Sequence, residues 1–300
     1  MMKAGNAFHR RSAGDIWFSV FNYTVLGILF FIVAYPLYFV VIASFSDPTA
    51  VAMGNVKFLP VKPTLVGYQE ILKNNEIWLG YKNSLFYTVV GTSLNIFLTM
   101  TAAYVLTRSD MPGRNLFMFL FTFTMFFSGG LIPTYLTAKD LNLLNTRWIL
   151  LLLGAVNIQN LIIARTSIQS NIPKELYEAA TIDGCSDFGY FFKMVLPLSK
   201  AIIAVLVIYY AVGHWNQYFN ALVYVTKDEL RPLQVFLSEI LLASQSTMDE
   251  FAQDNASHAM MVAESMKYGV IIVASIPVLI IYPFVQKYFM KGVMIGSLKG

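Results

Sequence analysis

The residues whose types and spacing suit a chemical role lie close together in the segment 172–198. Two acids, Glu178 and Asp183, lie near each other there, and Ala179 and Ala180 directly follow the first acid. Small alanine side chains let a helix backbone lie deep in a groove of another protein, where a carboxylate pairs with a cation. Such a partly buried, charge-assisted pair contributes about 1.5–3 kcal/mol. The pattern predicts a docking role, and the alternative is an ordinary connector with a solvated acidic face.

The same segment predicts two short helices joined by a glycine turn. Pro173 suits the first turn of a helix, and Gly184 is a natural stop at the C-terminal end of that helix. Ser186 or Asp187 is expected to cap a second helix. Pro197 is then expected to begin the next apolar span.

A second set of polar and aromatic residues lies within apolar stretches. On a continuous helix, Trp215 and Tyr218 share one face, while Asn216 and Asn220 share a neighbouring face. Amides and rings suit a sugar, because its hydroxyls need hydrogen-bond partners and its C–H faces stack on aromatic side chains. We therefore predict a substrate pathway at these four residues and at Asn157. The alternative is that the rings form an interfacial belt and the amides join helices.

Several kinds of site are not expected. His9, His214 and His258 lie in no metal-binding spacing, and the single Cys185 allows neither an intrachain disulfide nor a cysteine-rich metal site. The chain lacks the G-x-x-x-x-G-K-[ST] loop that binds nucleotide phosphates. We expect no catalytic residue, no metal and no cofactor bound by this chain. The net charge of +4 does not predict a nucleic-acid partner.

The elements that position these residues are predicted to lie in a membrane. Of the 300 residues, 57% are hydrophobic and 13% are charged, whereas a soluble domain carries about 25% charged residues. So few polar side chains cannot cover a surface in water, and the mean hydropathy of +0.59 agrees. The first apolar run, after Ile16, is longer than the roughly 7–15 residues of a signal-peptide core and is interpreted as a retained span.

We predict an all-α, polytopic membrane protein with about six transmembrane helices. A bilayer core about 30 Å thick needs roughly 20 apolar residues at about 1.5 Å each. The predicted spans are 17–44, 84–107, 115–137, 147–165, 198–225 and 268–290.

The distribution of charge predicts the orientation of the chain. Lys and Arg favour one set of connecting segments and the acids favour the other, which places both termini in the cytoplasm. The hydrophilic segment 166–197 is then an inner loop, and 45–83 and 226–267 are long outer loops. The chain is predicted to be a multi-pass protein of the cell membrane.

The inner loop also carries a recognisable motif. It reads Glu178-Ala179-Ala180-x-x-Asp183-Gly184, followed by Leu196-Pro197-Leu198. This motif resembles the EAA loop of the permease subunits of binding-protein-dependent ABC importers. The resemblance covers most of the chain and is to the carbohydrate subgroup, in particular maltose-importer-type subunits and oligosaccharide permeases of Gram-positive bacteria. Further similar segments are 129–135, 160–165, Trp215-Asn216 and 291–300.

Two departures from that family pattern are visible. Cys185 stands where the family often has Ala. Ala201 stands where the family often has a Pro after the Leu-Pro-Leu-Ser-Lys stretch. Neither alters the coupling motif, and the second is expected to change slightly how the fifth span begins.

The resemblance implies a mechanism and a set of partners. A separate cytoplasmic ATPase dimer would bind ATP and Mg, and its movement would switch the helix bundle between inward-open and outward-open states. The other implied partners are a second permease subunit, which gives a heterodimer of permeases, an oligosaccharide, and an extracytoplasmic binding protein at the loop 226–267. The alternative for that loop is a solvated segment with no partner. The residues implied to couple the ATPase are Glu178, Ala179, Ala180, Asp183 and Gly184.

We interpret the chain as a single transmembrane domain, 1–300, with a permease core at 80–290 and the coupling loop at 172–197 within it. The main alternative is a secondary transporter or channel for small polar solutes, which should carry ionisable residues within its spans. The predicted spans have no acidic residue in their middles. A membrane enzyme is a third class, and the sequence shows no Ser-His-Asp or metal pattern to support it.

Overall fold

The structure is a computed structural model that describes residues 13–249 and 266–283. Every regular element in these residues is a helix, which confirms the all-α prediction. Both termini, part of the loop 226–267, and the segment 284–300 with the end of the last predicted span lie outside the described residues.

The helices are named in chain order. They are α1 Ala13–Ser44, α2 Pro48–Ala52, α3 Val66–Lys73, α4 Asn75–Phe86, α5 Thr92–Thr107, α6 Arg114–Phe126, α7 Leu131–Asp140, α8 Arg147–Leu152, α9 Ile158–Asn171, α10 Lys174–Ile182, α11 Asp187–Tyr190, α12 Leu196–Leu198, α13 Lys200–Trp215, α14 Phe219–Tyr224, α15 Leu233–Asp249 and α16 Met266–Pro283. π-Helical turns follow α4 at Tyr87–Gly91 and α11 at Phe191–Val195.

The chain divides into two compact units. Among the described residues, one contains 13–70, 247–249 and 266–272, and the other contains 71–246 and 273–283. In the first unit, α1 is apolar around its circumference and almost wholly exposed, as expected for a helix that faces lipid. Ile42 and Ala43 at its end pack against α2, which Asp47 caps by accepting from the backbone N–H of Thr49 at 3.0 Å.

Three helices among the described residues are long and apolar enough to cross a membrane. They are Gly14–Ser44, Asn75–Thr107 and Met266–Pro283. The second begins nine residues before the predicted span 84–107, because Asn74 caps it and accepts from the N–H of Glu76 at 2.8 Å. Two further crossings are bent helix pairs, so the described chain has up to five.

The prediction of one continuous helix at 115–137 is wrong. Helices α6 and α7 meet at an angle of 118°, and the break ends at Gly130, whose φ is +84°. Glycine has no Cβ and adopts this left-handed conformation without strain. Gly129 precedes it, so two residues in succession offer little support for a continuous helix.

The predicted span 147–165 is also divided. Helix α8 ends at Leu152, and α9 starts only at Ile158. Gly154 lies between them with φ +74°, and Asn157 caps α9 by accepting from the N–H of Asn160 at 3.1 Å. A glycine turn followed by an N-cap residue therefore interrupts the apolar run.

The predicted span 198–225 is likewise replaced by two helices, α13 and α14, with a turn at residues 216–218. The predicted outer loop 226–267 contains α15, and its residues Leu233, Val235 and Phe236 are buried. Ser84 holds the start of α15 by accepting from the N–H of Leu233 at 2.8 Å. The apolar residues near the start of α15 were the sequence signal that this part of the predicted loop packs as a helix.

The core of the second unit joins α5, α9 and α13. Met100, Leu161 and Leu206 are fully buried within it. Polar contacts cross the same helices, since the Thr99 hydroxyl lies 2.6 Å from that of Tyr210. Such neutral pairs satisfy polar groups away from water and fix how the helices pack.

Candidate coupling loop and transport cavity

The inner loop folds as two helices separated by a glycine turn, as predicted. Helix α10 follows Pro173, and Gly184 has φ +75° immediately after the C-cap of the helix. Ser186 caps α11 by accepting from the N–H of Gly189 at 3.2 Å. The prediction for Pro197 is wrong, because it lies inside α12 and the next span starts at Lys200 after a bend of 81°.

The two faces of α10 differ sharply in exposure. Ala180 is buried in the core cluster of the second unit that also contains Tyr190 and Phe191. The other four predicted coupling residues, Glu178, Ala179, Asp183 and Gly184, are exposed. One alanine therefore attaches the loop to the bundle, and the remaining residues of the motif face away from it.

Two exposed apolar residues of this loop were missed by the sequence analysis. The side chains of Ile182 and Phe188 are 87% and 78% exposed, respectively. Ile182 lies one turn after Glu178, so the two share a face of α10. The sequence signal that could have identified them is a large apolar residue next to the polar end of a helix predicted at the membrane surface.

A cluster around Arg108 ties the loop to the end of α5. The guanidinium lies 2.7 Å from the carboxylate of Asp110 and 3.0 Å from that of Asp187. It also donates to the Tyr177 hydroxyl at 2.5 Å and to the Tyr104 hydroxyl at 3.3 Å. The guanidinium carbon lies 3.8 Å from the centroid of the Tyr177 ring. One residue thus holds α5, α10 and α11 together.

The charges of this cluster reinforce each other. The hydrogen bond from Arg108 lowers the pKa of the Asp110 carboxyl below its usual value. The same hydrogen bond, with that to Tyr177, raises the pKa of Arg108. Both groups are therefore ionised at neutral pH. The sequence analysis missed Arg108, because its partners in the loop are distant in the sequence.

The second unit also contains a cavity of about 830 Å³ beside α9 and α13. Four of the predicted pathway residues line it, namely Asn157, Asn216, Tyr218 and Asn220. Its remaining amide side chains are Asn95, Gln159, Asn160 and Gln217. Among the described residues that line this cavity, none is Asp, Glu, Lys or Arg.

Trp215, in contrast, does not line the cavity. Its side chain is 4% exposed, and its Nε1–H donates to the backbone carbonyl of Ala274 at 3.2 Å. Its ring also packs edge-on against Tyr81, with centroids 5.8 Å apart. The predicted helix faces are wrong here, because α13 ends at Trp215 and the turn before α14 redirects the residues that follow.

Two lining residues that the sequence analysis missed, Asn95 and Gln217, join the wall to neighbouring helices through their amide groups. The side-chain oxygens of Asn95 and Gln217 are buried, with almost no surface open to the cavity. The amide nitrogen of Asn95 lies 3.0 Å from His214 Nε2, and that of Gln217 donates to the carbonyl of Leu150 at 3.1 Å. Their position within predicted spans was the only signal that the sequence offered.

Comparison with known proteins gives extensive matches. Protein LplC of Bacillus subtilis is 40% identical, over 98% of this chain and 99% of that protein. The polygalacturonan/rhamnogalacturonan transport system permease protein YtcP of the same organism is 41% identical, over 94% of this chain and 98% of that protein. No protein-family model matches the chain.

A solved structure is also similar. It is a crystal structure of a bacterial ABC transporter involved in the import of the acidic polysaccharide alginate. The matching chain has a TM-score of 0.85 and 34% identity, over 93% of this chain and 98% of that chain. These relatives do not favour a secondary transporter.

Proposed function

This chain belongs to the family of permease subunits of ABC sugar importers, and we propose that it lines an oligosaccharide pathway that a separate ATPase opens. It is an integral membrane protein of the transport machinery. The proposal assigns the binding of ATP and Mg to the ATPase dimer and no nucleotide site or cofactor to this chain. A second permease subunit, an extracytoplasmic binding protein at 226–267, and cytoplasmic termini complete the proposed arrangement.

The observation that carries the coupling proposal is the division of the inner loop into two faces. Ala180 is buried in the bundle core, whereas Glu178 and Ile182 project from the opposite face. We propose that the ATPase receives this exposed face in a cleft, where the carboxylate of Glu178 pairs with a cation and Ile182 fills an apolar site. Asp183 and Gly184 shape the end of the docking helix.

The Arg108 cluster gives the proposed route of transmission. Its contacts with Tyr177 and Asp187 connect both helices of the loop directly to the end of α5. Helix α5 in turn packs against α9 and α13, which border the cavity. A displacement of the loop is thus expected to move the wall of the pathway rather than only the loop.

The substitution Glu178→Ala tests the docking proposal. We expect the complex to insert and hydrolyse ATP while sugar uptake falls by at least about 10-fold, because one charge-assisted contact is lost. Uptake and ATP hydrolysis are measured together in proteoliposomes that contain the second permease, the ATPase and the binding protein. Glu175→Ala is the matched control, since Glu175 is an exposed acid in the first turn of the same helix. Normal uptake by the Glu178 variant would contradict docking through this carboxylate.

A further inference from the structure

The segment that follows α2 turns back along α1 within the first unit. The N–H of Thr64 donates to the backbone carbonyl of Phe45, just past the end of α1, at 2.9 Å. The N–H of Val61 donates to the hydroxyl oxygen of Ser46 at 3.2 Å. Residues 61–64 therefore lie at the level at which α1 ends.

The residues just before them lie further down the helix. The hydroxyl of Tyr38 donates to the backbone carbonyl of Phe58, and that of Tyr35 donates to the carbonyl of Lys57 at 3.2 Å. Tyr35 and Tyr38 precede the end of α1 by roughly 13 and 9 Å, at about 1.5 Å per residue. Side chains on a helix also tilt toward its N-terminus, so the two hydroxyls lie no closer to the end. The carbonyls at 57 and 58 are thus held well below the end of α1.

Aromatic residues on α1 indicate where the bilayer begins and ends. Trp17 and Tyr35 are exposed and lie 18 residues apart, which is roughly 27 Å at about 1.5 Å per residue. The residues between them include no Asp, Glu, Lys or Arg. This spacing matches a hydrocarbon core about 30 Å thick, and Trp and Tyr are enriched at the two boundaries of that core. Tyr35 and Tyr38 therefore mark the boundary on the side where α1 ends.

The segment presents apolar side chains at this boundary. Phe58 and Leu59 are 69% and 73% exposed, and the Phe58 ring lies beside that of Tyr35, with centroids 5.9 Å apart. The backbone carbonyl of Phe58 is satisfied by a tyrosine hydroxyl, as is needed where water is scarce. Lys57 and Lys62 are exposed on either side of the pair, and such long side chains extend to lipid headgroups.

We propose that Phe58 and Leu59 insert into the boundary between headgroups and acyl chains, and thereby anchor the segment 57–64 and the end of α1 to the bilayer. Lipid is the proposed occupant because this surface continues the exposed apolar surface of α1 at the depth of its tyrosines. The anchor is separate from the proposed transport function, and only its assignment to the outer leaflet rests on the cytoplasmic N-terminus proposed above.

The test measures the depth of these residues in the complex of both permeases and the ATPase, reconstituted in lipid nanodiscs. A nitroxide label is attached at Phe58→Cys in a background with Cys185→Ser and cysteine-free partner subunits, since Cys185 is the single cysteine of this chain. Collisions of the label with oxygen, which is enriched among acyl chains, are compared with collisions with a water-soluble nickel chelate. We expect oxygen to dominate and to give a depth of about 5–10 Å below the headgroup surface.

Leu65→Cys is the matched control. Leu65 is also large, apolar and 54% exposed, but it follows Thr64, which lies level with the end of α1. We expect the nickel chelate to dominate at this position. A label at Leu59→Cys should repeat the result for Phe58 if Phe58→Cys fails to assemble. Equal access of the nickel chelate at positions 58, 59 and 65 would overturn the proposal.

A second measurement identifies what covers the surface. Phe58 is replaced by the photoreactive residue benzoylphenylalanine, and the illuminated complex is analysed by mass spectrometry with and without the binding protein. We expect adducts with lipid, whereas adducts mainly with the second permease or the binding protein would overturn the proposal. Uptake driven by ATP is measured on the same complexes. Normal uptake without lipid adducts would refute the anchor alone and leave the importer function intact.

Discussion

The inner loop and the cavity wall are held together by different chemistry. The loop is fixed by a cation, Arg108, with two carboxylates and two phenols around it. The wall is fixed by neutral contacts such as those of Gln217 and Asn95. Charges are costly within a bilayer but not at its surface. An interfacial loop can therefore be held by ion pairs, whereas a wall within apolar helices is held by neutral amides.

The substitution expected to disturb the protein most is Trp215→Ala. The side chain is buried and donates a hydrogen bond to Ala274, so its removal leaves a large cavity and deletes that hydrogen bond. We expect the free energy of unfolding to fall by about 3–5 kcal/mol. Thermal unfolding in detergent and the yield of assembled complex measure this effect.

This variant also sharpens the distinction between packing and pathway residues. Asn216→Ala, at a neighbouring position that lines the cavity, should change stability much less. If a Trp215 variant is fully stable but has an altered sugar preference, Trp215 is a pathway residue and not a packing residue.

Arg108→Ala is expected to have the next largest effect. It removes two ion pairs and two hydrogen bonds from a side chain that is only 15% exposed, so about 2–3 kcal/mol of stability should be lost. We also expect uptake to become uncoupled from ATP hydrolysis, because α5 is no longer tied to α10 and α11. Stability is measured by thermal unfolding, and coupling by the ratio of uptake to ATP hydrolysis.

Arg108→Lys separates charge from geometry. Lysine retains the charge but not the planar fork or the stacking on Tyr177. We expect coupling between those of the wild type and the alanine variant. Full coupling in Arg108→Ala would show that the loop moves the bundle through other contacts.

Ile182→Ser should have the smallest effect on the permease itself. The side chain is already in solvent, so the free energy of unfolding should change by less than about 0.5 kcal/mol. Association with the ATPase should nevertheless weaken about 10-fold, since an exposed apolar residue at a docking face acts as an anchor. Co-purification at increasing salt and a titration of ATPase subunits measure this change. A loss of stability without a loss of association would place Ile182 in the fold rather than in the interface.

The sequence predicted best where local rules decide the structure. Pro173, Gly184 and Ser186 each act within one helical turn, and the loop around them folds as predicted. The spans were less predictable, because an average of hydropathy over about 20 residues does not detect a break at Gly130 or Gly154. Both glycines adopt a conformation that the surrounding apolar residues do not reveal.

The candidate sites were predictable only in part for a related reason. The exposed acids of α10 follow from composition, but the Arg108 cluster needs contacts between residues far apart in the sequence. The prediction that Trp215 faces the pathway was wrong because it assumed a helix that continues past Asn216. The contacts of Asn95 and Gln217 likewise depend on His214 and Leu150, which are far from them in the sequence.

The bend between α6 and α7 has a consequence for insertion into the bilayer. At residues 127–130 the regular ladder of backbone hydrogen bonds stops, so terminal carbonyls of α6 and terminal amides of α7 lack partners within their own helices. Acyl chains offer neither donors nor acceptors. That corner must consequently be bathed by water or covered by protein in the assembled importer, and it sets a boundary to the surface that lipids can solvate.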